Sequence, residues 1–288
     1  MKLAISNIAW DIAQDEAVAE LLQAKGIAAI DVAPGKYFPQ PAEAHRDEMA
    51  RVRQWWADRG IAITGMQALL FGTSGLNLFG PRDVRDAMLS HLDAVCRIGA
   101  GLGATRLVFG SPKNRDRNGL DDAAALAQAV PFFRRLGDMA AQHGVIVCLE
   151  PNPTRYGANF MTTGEDTANV VKHINHPAIR MQFDTGAYII NQEDPLPLLR
   201  DDAGLIGHIH ASEPDLIPLG DWEDSQGLSV GHAAFGELVR HYLPDHVVTI
   251  EMVACKTEPP LAGIERAIDA AIRHYRQTTT SPATEGAP

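Results

Sequence analysis

Four stretches of the sequence end short apolar runs on groups that can bind a metal or move a proton. "VIVCLEPNP" carries Glu150, "IRMQFDTG" carries Asp184, "GLIGHIHAS" carries His210 and "HVVTIEM" carries Glu251. A single carboxylate after an apolar run is most often a helix N-cap or a solvated loop group. A single histidine there is most often a hydrogen-bonded core residue. Four such groups on successive runs ask for a joint explanation. Three carboxylates crowded in a partly dry site repel one another, and without a cation at least one would protonate. A divalent ion resolves this: three carboxylates and one imidazole leave about −1 on the site. Oxygen ligands with one nitrogen suit Mn²⁺, the first choice here, and also Mg²⁺ or Co²⁺; Zn²⁺ is compatible but often takes fewer carboxylates. The expected metal ligands are Glu150, Asp184, His210 and Glu251.

These groups can act together only if the fold brings four strand ends to one place. Near-continuous apolar runs lie near Leu3–Ser6, Ile27–Val32, Ile61–Met66, Arg106–Phe109, Val145–Leu149, Ile179–Phe183, Leu205–His210 and Val247–Ile250. Runs of this kind fit strands buried on both faces of a parallel sheet. Helical periodicity fills the gaps, as in "DEAVAELLQAKG" and "PLAGIERAIDAAIRHY". In "DDAAALAQAVPFFRRLGDMAAQHG", Pro131 predicts a kink or a break. Eight strands alternating with eight helical segments over 288 residues predict an α/β fold, a (β/α)8 TIM barrel. An open doubly wound sheet would want a GxGxxG turn after an early strand, and none is present. The "GAGLG" near Gly99 follows a helix and reads as a cap and loop. No domain boundary interrupts the pattern: residues 1–277 read as one barrel and 278–288 as a disordered tail. In such a barrel the active site lies at the C-terminal ends of the strands, where the four groups fall on the fifth to eighth.

Composition narrows the function class. Lys and Arg number 25 against 36 Asp and Glu, a net charge of −11, which disfavours nucleic-acid binding. Cys96, Cys148 and Cys255 are odd in number and widely spaced, as expected of free thiols in a reducing cytoplasm. "MKLAISNIAW" reads as a strand, not a signal peptide, and no apolar run approaches a membrane span. The expected partner is a small molecule; a homo-oligomer is compatible with the sequence.

The chain resembles the xylose-isomerase-like TIM-barrel superfamily along nearly its whole length. The resemblance rests on "CLEPNP", "FDTG", "HIHASEP" and "IEM". Within the superfamily, "SEP" followed by "H..F" and "IEM" looks most like the sugar phosphate isomerase/epimerase group. The resemblance implies that the four residues are the metal ligands, with Glu150 and Glu251 doubling as acid and base. The chemistry agrees with the residue types. Isomerising or epimerising a ketose or aldose removes a proton beside a carbonyl, through an enediolate, and a metal plus two carboxylates can carry that step. Glu251 is assigned as first base and Glu150 as returning acid. One position departs from the family: many relatives place a histidine where "DTGAY" has Ala187, leaving Tyr188 or His208 as substitutes.

Gln67 and Ser111 follow the third and fourth strands as candidate partners of sugar hydroxyls, and Asn7 and Asp31 end the first two. Lys36, Lys113 and Arg155, on top-face loops, could hold a phosphate or carboxylate. Trp10, Phe38, Phe71 and Trp222 are candidate roof residues, and Glu213–Gly231 is the lid candidate. Three other readings share the fold. An inosose-dehydratase-like lyase on a cyclic polyol ketone uses the same proton abstraction. A sugar-binding barrel without catalysis is kept open by Ala187. A phosphodiesterase of the endonuclease IV type would want further histidines where Gln67 and Ser111 stand, and a carboxylate in place of Val230.

Overall fold

Strands that are apolar on both faces need cover on both, and closing them into a ring with helices outside provides it. The computed structural model describes residues 1–222, 231–255 and 257–276. Its strands are β1 (Lys2–Ser6), β2 (Ala29–Val32), β3 (Ala62–Met66), β4 (Arg106–Phe109), β5 (Ile146–Leu149), β6 (Ile179–Asp184), β7 (Ile206–Ser212) and β8 (Val247–Glu251). They pair in chain order as a closed parallel barrel, with β1 against β8 from Lys2↔Val247 to Ile5↔Ile250. The lid candidate falls partly, and the tail 278–288 wholly, outside the described residues, as does Val230.

The helices are α1 (Asp15–Ala24), α2 (Pro34–Tyr37), α3 (Arg46–Ala57), α4 (Arg82–Leu102), α5 (Asp122–His143), α6 (Gly164–Ile174), α7 (Thr185–Asn191), α8 (Leu196–Asp202), α9 (His232–Tyr242) and α10 (Pro260–Ala271). The eight expected helical segments are all present; α2 and α7 are additions on the loops after β2 and β6. The outer core lies between helices and strands. Phe133 of α5 meets Phe109 of β4 edge-on, with ring centroids 5.4 Å apart, and Trp56 of α3 is completely buried.

Pro131 does not break α5. The helix runs from its cap at Asp121, whose Oδ1 accepts the Ala124 amide, to Gly144 in the left-handed region at φ 69°. Pro131 is exposed, while Ala129, Phe132, Phe133 and Leu136 on the opposite face are buried. The carbonyl of Ala127 that loses its partner therefore lies on the wet side, where water can bond it, and the buried stripe holds the helix together. Removing this exposed defect should stabilise the chain. Pro131→Ala is expected to raise stability by about 1–3 kcal/mol, read as a rise in Tm of a few degrees. An unchanged or lowered Tm would show that the helix is shaped around the proline.

Candidate metal centre and active site

Strand geometry decides where the four groups point, because successive side chains alternate between the barrel interior and the helical layer. His208, His210 and Ser212 share the interior face of β7, as do Gln182 and Asp184 on β6 and Thr249 and Glu251 on β8. Glu150 is the residue after β5. Pairing sets Asp184 level with His210, and Glu251 level with Ser212. One ligand atom from each of Glu150, Asp184, His210 and Glu251 lies within 4.8 Å of the others. His210 Nδ1 is 3.3 Å from Glu251 Oε2, 3.8 Å from Glu150 Oε1 and 3.9 Å from Asp184 Oδ2. His210 is fully buried, and among the described residues its ring nitrogens find no well-formed hydrogen bond beyond the 3.3 Å approach to Glu251. Leaving such a group unpartnered is costly, and a cation held among three carboxylates would satisfy it. The donor set fits a divalent ion.

Each carboxylate is aimed by a neighbour. Gln67 Nε2 donates to Glu251 Oε1 at 2.6 Å. Asn152 Nδ2 donates to Glu150 Oε2 at 2.8 Å. The Ser212 hydroxyl and the Ala187 amide both donate to Asp184 Oδ1 at 2.8 Å. Asp184 thus joins two roles: Oδ1 caps α7, while Oδ2 faces His210. Gly110 leaves the room Glu150 needs, since a Cβ there would sit 1.8 Å from Glu150 Oε2. Arg115, completely buried, donates from Nη1 to the Glu150 carbonyl at 2.7 Å. Burial pulls its guanidinium down to about 10, against the pull of Glu150. Asn152, Ser212, Gln182 and Arg115 escaped the sequence reading. The available signal was position: Asn152 and Ser212 stand two residues after a ligand.

The charges are in conflict without a cation. Burial, then Glu251 and Asp184, push Glu150 up to about 8. Burial and Glu251 push Asp184 up to about 6. Burial also opposes the charge on Glu251, but His210 and the Gln67 amide outweigh it and hold this acid low. Burial opposes charge on His210 too, yet the carboxylates, Glu251 foremost, raise it to about 9. Below this layer lies a second one. Asp31 accepts from Thr64 Oγ1 at 3.0 Å and Thr249 Oγ1 at 2.9 Å, and lies 2.7 Å from His208 Nε2. Gly65 makes room for it, because a Cβ there would come within 2.6 Å of Asp31 Oδ1.

Two cavities open above the centre. One, of about 510 Å³, is lined by Lys36, Gln67, Phe71, Ser111, Lys113 and a set of aliphatic residues. The other, of about 470 Å³, is lined by Asn152, Tyr156, Asp184, Ala187, Ser212 and Asp215, among others. Glu150, Leu216 and Glu251 line both. Gln67, Ser111, Lys36 and Lys113 therefore reach the site. His208 lines neither cavity and belongs to the Asp31 layer. Arg155 is paired with Asp215 and lines neither cavity. Asn7 is buried, its Oδ1 accepting the Ala33 amide. Of the proposed roof residues only Phe71 lines a cavity; Trp10 and Phe38 are buried in the core. Trp222, 36% exposed, lines neither. Ala187 does line the second cavity, but Tyr188 packs on Phe183 in the helical layer, with centroids 4.8 Å apart.

The raised acids give a signed pH dependence. In metal-free protein, Glu150 and Asp184 bind protons more tightly folded than unfolded. The stability they contribute is complete below the unfolded value near 4.5 or 3.8 and is lost as pH rises through about 8 and 6. A bound divalent ion favours the ionised forms and so reduces that loss. The rise in Tm produced by Mn²⁺ should therefore grow between about pH 5.5 and 8.5, which thermal melts of chelator-treated protein will measure. A metal-induced rise that is the same at every pH would contradict this electrostatic account.

Comparison with known proteins places this geometry in context. A D-psicose 3-epimerase structure with D-fructose superposes with a TM-score of 0.77 at 20% identity, covering 96% of this chain and 99% of that one. The D-psicose 3-epimerase of Clostridium cellulolyticum H10, with D-tagatose, gives 0.76 at 18% identity, covering 96% and 98%. The IOLI protein with a binding zinc atom gives 0.73 at 16%, covering 96% and 98%. At these identities the likeness is one of fold. No curated protein matches the sequence significantly. No helix among the described residues is long and apolar enough to cross a membrane. The sequence pattern of one family runs through residues 19–277, from within α1 to beyond the last described turn, and the closed barrel agrees with it: the chain belongs to the xylose isomerase-like TIM barrel family.

Proposed function

We propose that the protein is a divalent-metal-dependent isomerase or epimerase of a sugar or sugar phosphate. The observation that carries this reading is the pair Glu150 and Glu251. They come from strands with two others between them, converge on His210 and line both cavities. The ion, with Mn²⁺ as first choice, would be held by Glu150, Asp184, His210 and Glu251. When bound it supplies positive charge that stabilises the oxyanion formed as a carbonyl enolises.

The chain's own groups do the rest. Glu251, held ionised and aimed by Gln67, takes the proton from the carbon beside the carbonyl. The C–H electron pair becomes the carbon–carbon double bond of an enediolate, and the carbonyl oxygen takes the charge. Glu150, aimed by Asn152 and carrying a proton when the substrate binds, gives it to the other carbon in an isomerisation, the enediolate's hydroxyl proton passing to the former carbonyl oxygen, or to the opposite face of the same carbon in an epimerisation. Glu150 keeps 13% of its side chain open toward the cavities, so substrate can reach it, whereas His210 is closed off. Of the expected anion anchors, Lys36 donates to the carbonyls of Asn7 and Trp10, and Arg155 is paired with Asp215.

One observation favours a second reading. With Ala187 lining the second cavity, and neither Tyr188 nor His208 reaching it, a sugar-binding barrel without turnover is the alternative. Solvent exchange separates the two. At saturating Mn²⁺ and over many turnovers in D₂O, the enzyme should put deuterium on the reacting carbon. Glu251→Gln should lower turnover by about 10²–10⁴-fold. Complete retention of substrate hydrogen, with near-normal turnover in Glu251→Gln, would mean the glutamates have another job. Sugar binding without any exchange would favour the second reading.

A further inference from the structure

The two cavities over the metal centre differ in chemistry. The one around Asn152, Tyr156, Asp184, Ser212 and Asp215 is lined with groups that bond hydroxyls. The other is lined by Ile8, Leu69, Leu70, Phe71, Leu216 and Val253 over most of its wall. Several of its polar groups are committed elsewhere, while Lys113 Nζ, at the lobe, reaches only the Thr73 carbonyl at 3.4 Å. Lys36 Nζ donates to the Asn7 carbonyl at 2.6 Å and also to that of Trp10. The Ser111 hydroxyl donates to Asn114 Oδ1 at 2.6 Å. Gln67 Nε2 is bonded to Glu251, which leaves its buried Oε1 as an unpartnered acceptor beside the reacting centre. A sugar hydroxyl placed along the aliphatic wall of this lobe, away from Gln67 Oε1 and Lys113, would lose water and find no partner in return. An apolar group would gain by burial. The lobe is also large: about 510 Å³ lies within the range of pockets that hold drug-sized ligands, well beyond a six-carbon sugar. Phe71, 82% exposed, stands at its mouth.

We propose that the apolar lobe is a subsite for an apolar or aromatic substituent, so that the substrate is a keto sugar joined to such a group rather than a free monosaccharide. The inference rests on the sugar isomerase/epimerase reading and deepens it. The shared lining residues Glu150, Glu251 and Leu216 make the joining point. The sugar ring lies over the hydroxyl-bonding cavity, its reacting carbon meets the two glutamates, and the substituent extends past Gln67 toward Phe71.

The test uses the Mn²⁺-loaded full chain and calorimetric titration with methyl, hexyl and phenyl glucosides. Phenyl and hexyl glucoside should bind at least about 10-fold more tightly than methyl glucoside. Leu70→Asn in the buried wall and Phe71→Ser at the exposed rim should each shrink that ratio while methyl glucoside affinity changes less. Equal affinity across the series overturns the proposal, and so does a gain that survives both substitutions. A lobe closed by a second copy of the chain would give the equal-affinity result. Deuterium exchange run in parallel separates the two levels. Exchange of a simple ketose with no substituent effect sinks this inference alone. A substituent effect with no exchange of any sugar sinks the isomerase reading instead.

Discussion

Three carboxylates and one imidazole share a buried space only a few ångströms across, and the rest of the structure is arranged around that concentration of charge. Desolvation and mutual repulsion drive Glu150 and Asp184 toward their neutral forms, while Glu251 and His210 lean on each other. A divalent ion removes the conflict at once. The parallel barrel is suited to this task because its strand ends are held rigidly by neighbours on both sides. Main-chain pairing fixes Asp184 level with His210 and offsets Glu251 by one interior position.

Precision then comes from small residues and amides. Gln67 and Asn152 each hold one glutamate, and Ser212 with the α7 amide holds the aspartate. Gly110 and Gly65 are places where any side chain would collide with a carboxylate, that of Glu150 and that of Asp31 respectively. The Asp31–His208 layer beneath keeps the barrel polar below the four-residue cluster, with hydroxyls from Thr64 and Thr249 donating to Asp31.

Much of this was legible in the sequence because it depends on position along a strand. Eight apolar runs gave the barrel, and four strand ends gave a set of groups that the structure brings together. What was not legible depends on partners distant in the chain. Lys36 reads as a free cation until its ammonium is seen on the carbonyls of Asn7 and Trp10. Arg155 reads the same way until Asp215 appears beside it. His208, two residues from His210 on the same face, sits one layer too deep to reach a cavity. The short α7 has no periodicity to betray it and exists because Asp184 caps it. Pro131 misleads for a related reason: the sequence does not say which face of the helix is wet.

The central claim is that one divalent ion belongs among these four side chains, and crystals of chelator-treated protein soaked in Mn²⁺ test it most directly. Anomalous diffraction at a wavelength chosen for manganese should show one strong peak per chain, enclosed by Glu150, Asp184, His210 and Glu251, and absent from Asp184→Ala crystals soaked in parallel. No peak at that point, or one of equal height in the variant, would contradict the account.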